Sequence, residues 1–209
     1  MDFIKVVEGR RSIRKFLPDP IPREDLEEIV RIGTLAPSAS NMQMWRFLVV
    51  TNKETLKKME RVILSKVDEI AAWPESKSSL PRIEGARVYA THFAKAPCGI
   101  AVLGEPYGSA MDDVLALRGF SREERERVRS RPDMQSIGAA IQNMLLAAHA
   151  KGYGTVWMTA PCIAAREIEK VLSVEEPWKL AAVIAIGKPD ESPAPRPRKP
   201  LSEVLEIIE

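Results

Sequence analysis

Residues 133–158 read DMQSIGAAIQNMLLAAHAKGYGTVWM, and the architecture is read outward from them. Asp133 is placed to cap a helix that runs to about Lys151, and Gly152 and Gly154 end it. No charge falls between Met134 and Ala150, but Gln135, Gln142, Asn143 and His149 interrupt the apolar run. That pattern fits a helix buried in a protein core better than a membrane span. Gly138, Ala139, Ala140, Ala147 and Ala148 would let another backbone approach closely, so this is the expected central helix. A short strand, residues 155–158, follows at once.

Three further apolar runs read as strands: 46–51 (RFLVVT), 98–103 (CGIAVL) and 180–186 (LAAVIAI). Helices are expected over 2–10, with Phe3, Val6 and Val7 on one face, and from Pro22 to just before Pro37. Further helices are expected over 52–70, near 83–95 and over 164–172, with a proline- and serine-rich break at 73–81. Helices separated by four short strands predict an α+β fold, a three-layer sandwich. A βαβ dinucleotide fold needs a strand feeding a glycine-rich turn at its first helix. Here the chain opens on helices, and Gly152-Tyr153-Gly154 follows one. No phosphate-loop or nucleophile-elbow motif is present.

The 209 residues suit one domain with one core, here taken as 1–209 with an excursion at about 104–133 and an extended tail at 188–209. The excursion holds the charge run SREERERVRSRPD, which reads either as a solvated helical surface or as a lid over a substrate site. Thirty-one basic against 29 acidic residues leave a balance too even for a nucleic-acid binder. The charged start MDFIKVVEGRR lacks a signal-peptide core, so a cytoplasmic protein is expected. Cys98 and Cys162 cannot build a disulfide scaffold, and they lack the CxxC spacing of a redox pair. His92 and His149 are too far apart in sequence to suggest a metal site.

Four clusters carry chemistry. Arg10, Arg11, Ser12 and Arg14 form a basic-hydroxyl group able to clamp a phosphate, or simply to finish a helix at its negative end. Residues 36–45 (APSASNMQMW) present hydroxyls and amides able to read a planar heterocycle, or to cap their own backbone. Met158, Thr159 and Ala160 close a strand with backbone N–H groups that a ring could use. Arg196 and Arg198 sit in a stiff tail that can swing back over the body, or remain a solubilising extension.

Together, in order, these clusters resemble the nitroreductase family of flavin mononucleotide (FMN) enzymes. RRSIRKF, APSASNMQMWRF, GYGTVWMT and AIGKPDESPAPRPRKPLSEV each match a motif of that family, and the similarity spans residues 2–205 except mainly 65–90 and 104–133. Met44 stands where the family often has proline. The resemblance implies a central, mainly antiparallel sheet flanked by helices, and an intertwined homodimer with FMN at the interface. It implies that Arg10, Arg11, Ser12 and Arg14 hold the phosphate and nearby flavin oxygens, with Arg196 and Arg198 closing from the tail. It places Pro37, Ser38, Ala39 and Ser40 of the partner chain against the flavin, with Asn41 and Gln43 as pocket amides. Met158, Thr159 and Ala160 would pass the N5 side. It further implies a ping-pong transfer of electrons from NADH or NADPH through flavin N5 to a nitroaromatic, quinone or activated alkene. No side chain is nominated as general acid or nucleophile, because the flavin carries the chemistry. Relatives specialised for dehalogenation or for fragmenting flavin, and a non-catalytic flavin-binding protein, are the alternatives.

Overall fold

The strands CGIAVLG and KLAAVIAIG lack polar alternation because both of their faces are covered. In the computed structural model, which describes residues 2–209, they form β2 (Cys98–Gly104) and β4 (Lys179–Gly187) at the centre of a four-stranded sheet. β1 (Trp45–Val50) lies outside β2 and β3 (Gly154–Met158) outside β4, in the order β1-β2-β4-β3 with every neighbour antiparallel. A bulge between Val102 and Leu103 shifts the β2–β4 register.

Side-chain alternation divides the core into two layers. Ile100, Val102, Ala182, Ile184 and Ile186 meet α2 (Arg23–Gly33) and the central α7 (Pro132–Ala150). Ala101, Leu103, Val183 and Ala185 meet α3 (Lys53–Ala71) and α8 (Ala165–Val171) on the other face. The small residues of α7 serve close packing as expected: a Cβ on Gly33 of α2 would lie 2.5 Å from Met144 Cγ and 3.3 Å from the Ala140 carbonyl. The result is an α+β sandwich, helices on both faces of an antiparallel sheet.

Several boundaries differ from the sequence reading. α7 begins at Pro132 behind Arg131, whose φ is 50°, so Asp133 lies inside the first turn instead of capping it. There it accepts from the Arg131 guanidinium at 2.9 and 3.1 Å. α1 (Phe3–Gly9) buries Val6 only, leaving Phe3 67% and Val7 43% exposed. α4 (Leu80–Thr91) starts earlier than expected, because Pro81 suits a first turn, and it passes into a 3₁₀ turn at His92–Lys95. The excursion folds as α5 (Ala110–Leu117) and α6 (Arg122–Arg129), neither with a buried residue. A Ser121–Glu124 capping box opens α6. Among the described residues, no helix is long and apolar enough to cross a membrane.

Candidate functional site

The basic segment is held in place by the buried residue in its middle. Ile13 packs so tightly on Gly154 that a Cβ there would lie 2.7 Å from Ile13 Cγ1. Its N–H donates to the Thr155 carbonyl at 2.9 Å, setting Ser12 in a parallel bridge beside β3. The tail is tied to the same segment. The Glu191 carboxylate accepts the N–H groups of Arg14 at 2.5 Å and Lys15 at 3.2 Å, and Leu17 N–H donates to the Lys188 carbonyl at 2.9 Å.

These ties bring Arg10, Arg11, Ser12, Arg14, Arg196 and Arg198 around one cleft of about 550 Å³. Among the described residues, none of the five arginines takes part in an ion pair. Arg11 donates instead to the backbone carbonyls of Glu8 and Arg10, so finishing α1 and lining the cleft are compatible roles. Partial burial, then the nearby charges of Arg198 and Arg11, press the Arg10 pKa below its ordinary value. Five crowded guanidinium groups, with Glu8 the one carboxylate lining the cleft among the described residues, are an environment that a bound dianion relieves. The cleft therefore fits the phosphate end of FMN. His149 lies behind it, close enough to α1 that a Cβ on Gly9 would meet its Nε2 at 2.8 Å. Burial, then Arg10 and Arg11, lower the His149 pKa.

The amide loop is anchored at the N-terminal end of α7. Ala39 N–H donates to Ser136 Oγ at 3.2 Å, and Gln43 N–H donates to Ser38 Oγ at 3.0 Å. Ser40, Asn41 and Gln43 have φ of 52°, 53° and 52°, a left-handed conformation costly for residues with a Cβ. Capping thus accounts for Ser38, whereas Asn41 and Gln43 remain exposed. Met44, where proline was the family's frequent choice, is fully buried; the backbone turns through Gln43 while Met44 anchors the loop in the core.

Met158 is buried, whereas Thr159 and Ala160 are exposed just past the end of β3. One end of β3 therefore adjoins the basic cleft through Thr155 and the other leads to Thr159, a span of roughly 13 Å at the usual rise per residue. Thr159 and Cys162 line a 270 Å³ cavity with Glu105, Met134 and Ile137. Burial raises the thiol of Cys162 to about 11 and that of core Cys98 to about 12, so neither is an activated thiolate. Among the described residues, the cavity at Thr159 and the basic cleft have no lining residue in common, and neither is lined by the amide loop.

The charge run contains residues that sequence reasoning passed over. Arg122, Arg125 and Arg129 recur at helical spacing on α6, the signal that could have singled them out. They line a 260 Å³ cavity beside the one at Thr159, and the two share Arg122, Arg131 and Asp133. Tyr107 connects the region to the amide loop: its hydroxyl lies 3.1 Å from that of Ser40, and its ring centroid lies 5.1 Å from the Arg129 guanidinium carbon.

Comparison with known proteins agrees with the fold. A BluB-like flavoprotein from Clostridium difficile 630 has a TM-score of 0.89 and 30% identity, covering 100% of both chains. Iodotyrosine deiodinase of Thermotoga neapolitana is 28% identical over 199 residues, 94% of this chain and 91% of that protein. The 5,6-dimethylbenzimidazole synthase of Rhodospirillum rubrum is 28% identical over 188 residues, 89% and 82% respectively. The family model described as "Nitroreductase family" matches residues 7–188. With that match lying over the sandwich and the N-terminal side of the basic cleft, the chain belongs to the nitroreductase family of FMN-dependent flavoproteins.

Proposed function

We propose that this protein is an FMN-dependent oxidoreductase that draws electrons from NADH or NADPH and passes them to a specialised acceptor, as the dehalogenating or flavin-fragmenting branches of its family do. The broad reduction of nitroaromatics, quinones or activated alkenes is the weaker reading. The carrying observation is the excursion: α5 and α6 form capped helices whose cavity abuts the one at Thr159, and Tyr107 ties them to the amide loop. A site walled in this way selects its acceptor by shape and charge. The likenesses to a BluB-like flavoprotein, a dimethylbenzimidazole synthase and a deiodinase support the same reading.

FMN, when bound, supplies the two-electron chemistry. This chain's part is to hold and orient it. Arg10, Arg11 and Arg14, with Arg196 and Arg198, grip the phosphate, and the Ser12 hydroxyl adds a donor. Asn41 and Gln43 offer amides to the flavin, and the backbone at Met158, Thr159 and Ala160 flanks the N5 side. Pro37, Ser38, Ala39 and Ser40 act on the flavin bound to a second copy of the chain. That division accounts for the separation of loop and cleft within one protomer. A homodimer also gives the exposed apolar residues of α1 and of the tail a partner.

The test is an anaerobic titration of the FMN-loaded protein with NADH and with NADPH, followed by competing acceptors. Bleaching by at least one nicotinamide is expected. Reoxidation should be selective, at least ten-fold faster with one class among halogenated phenols, dioxygen, nitroaromatics and quinones, with parallel double-reciprocal lines. Comparable rates with nitroaromatics and quinones alike would restore the broad-reductase reading. Failure of both nicotinamides to bleach the flavin would leave a non-catalytic flavin-binding protein.

A further inference from the structure

Within the excursion, arginine donors outnumber the groups that satisfy them. Four arginines, at positions 122, 125, 129 and 131, line the 260 Å³ cavity against three carboxylates, those of Asp112, Glu126 and Asp133. Two of the arginines are well paired. Arg122 donates to Glu126 at 2.8 Å, and Arg131 reaches Asp133 at 2.9 Å and Glu126 at 3.4 Å. The other two are not. Arg129 Nε is 3.7 Å from Asp112, beyond hydrogen-bond reach, and Arg125 forms no ion pair among the described residues. The Nε atoms of both are buried and have no hydrogen-bond partner among the described residues.

Both residues are half-buried, and a guanidinium that lines a cavity without a well-placed carboxylate gains an acceptor for its charge when an oxyanion binds there. The planar fork of arginine matches an oxyanion in two-point geometry. This cavity shares Arg122, Arg131 and Asp133 with the one that reaches Thr159, where the flavin reading places the reacting ring. Arg129 also stacks on Tyr107, which touches Ser40 of the amide loop.

From this geometry we infer that Arg125 and Arg129 form an oxyanion subsite, so that the acceptor is a small molecule bearing a carboxylate or phosphate group, held by that group while its reducible part lies toward Thr159. This inference rests on the proposed flavin function and names the chemical class of its acceptor. An oxyanion could also arrive on the donor, as the 2′-phosphate of NADPH, and the experiment separates the two sources.

The oxidised, FMN-loaded protein is titrated calorimetrically with benzoate, phenyl phosphate, the uncharged benzamide, and 2′-AMP. At least one aromatic anion should bind about ten-fold more tightly than benzamide. Arg125→Gln and Arg129→Gln should each weaken that anion about ten-fold or more without changing benzamide. Arg127→Gln removes the same charge from an exposed position on the same helix and should change nothing. If Arg125→Gln does not fold, Arg125→Met, which keeps much of the aliphatic stem, replaces it. Equal binding of anions and benzamide overturns the inference, as does an equal loss in Arg127→Gln. So does a loss confined to 2′-AMP, which would assign the arginines to the donor. Because binding is read without turnover, failure here leaves nicotinamide bleaching intact, whereas failure of the proposed function removes bleaching and leaves anion binding intact.

Discussion

At the scale of single residues, the basic cleft is an electrostatic device whose worth can be measured one guanidinium at a time. Arg10 and Arg198 lie close enough to depress the Arg10 pKa, and neither has a carboxylate partner among the described residues. Arg198→Ala should weaken FMN binding by about 1.5–3 kcal/mol, the usual worth of a hydrogen bond to a charged group, read as a ten- to hundred-fold rise in Kd by flavin fluorescence quenching. An unchanged Kd would remove the tail from the phosphate site. The same charges reach His149, whose pKa is lowered first by burial and then by Arg10 and Arg11. His92 is lowered by burial, then Arg14 and Lys95. Both imidazoles therefore take up protons less readily when folded than unfolded. Their contribution to stability is complete above the ordinary histidine value of 6.5 and is lost as pH falls below it. The apo-protein Tm should be lower at pH 5.5 than at pH 7.5, and a His92→Gln/His149→Gln double variant should show a smaller drop; an equal drop would assign the effect elsewhere.

At the scale of elements, the amide loop stores strain that its anchors maintain. Ser136 on α7 holds Ala39, Ser38 holds Gln43, and Met44 is sunk in the core, while three non-glycine residues keep positive φ. Such backbone costs about 1–3 kcal/mol per residue and survives only where its surroundings impose it. Gln43→Gly should therefore leave stability unchanged or raise it by about 1 kcal/mol in urea unfolding, while weakening FMN binding several-fold because the amide is lost. A destabilised Gln43→Gly would show that the side chain, and not the flavin, justifies the conformation. The motif of this loop was legible in sequence, since its hydroxyls and amides carry the family resemblance. Its left-handed turns were not: asparagine tolerates that conformation, but serine and glutamine adopt it only when neighbouring elements compel it. The start of α7 shows the same limit: Asp133 has good capping chemistry, yet the left-handed Arg131 places Pro132 first and Asp133 becomes Arg131's ion-pair partner.

At the scale of the whole molecule, apolar surface remains that one chain does not cover. Phe3 and Val7 of α1 are exposed although the sequence places them on the helix's apolar face. Leu201, Val204, Ile207 and Ile208 stand out along the tail, Ile208 at 89% exposure. Ending the chain at Pro200 removes these four and the exposed Leu205 and keeps both tail arginines. In sedimentation velocity, the full protein should run near twice its 23.3 kDa and the truncated form should shift toward monomer; a monomeric full-length protein would exclude the dimer.

The sequence by itself determined the two central strands, the buried central helix and the order of the basic and amide motifs. These depend on local composition and hydrophobic period, which any window of chain displays. Only the tertiary structure decided which arginines stand unpaired. Arg10 and Arg14 each lie more than 180 residues from Arg198 along the chain, and they meet it because Ile13 packs on Gly154 and Glu191 binds the Arg14 backbone. In the excursion, Arg122 and Arg131 find carboxylates while Arg125 and Arg129 leave donors free, a difference that a charge run cannot express. Pairing is a matter of a few ångströms between side chains on different elements, and distances of that kind exist only after the elements have packed.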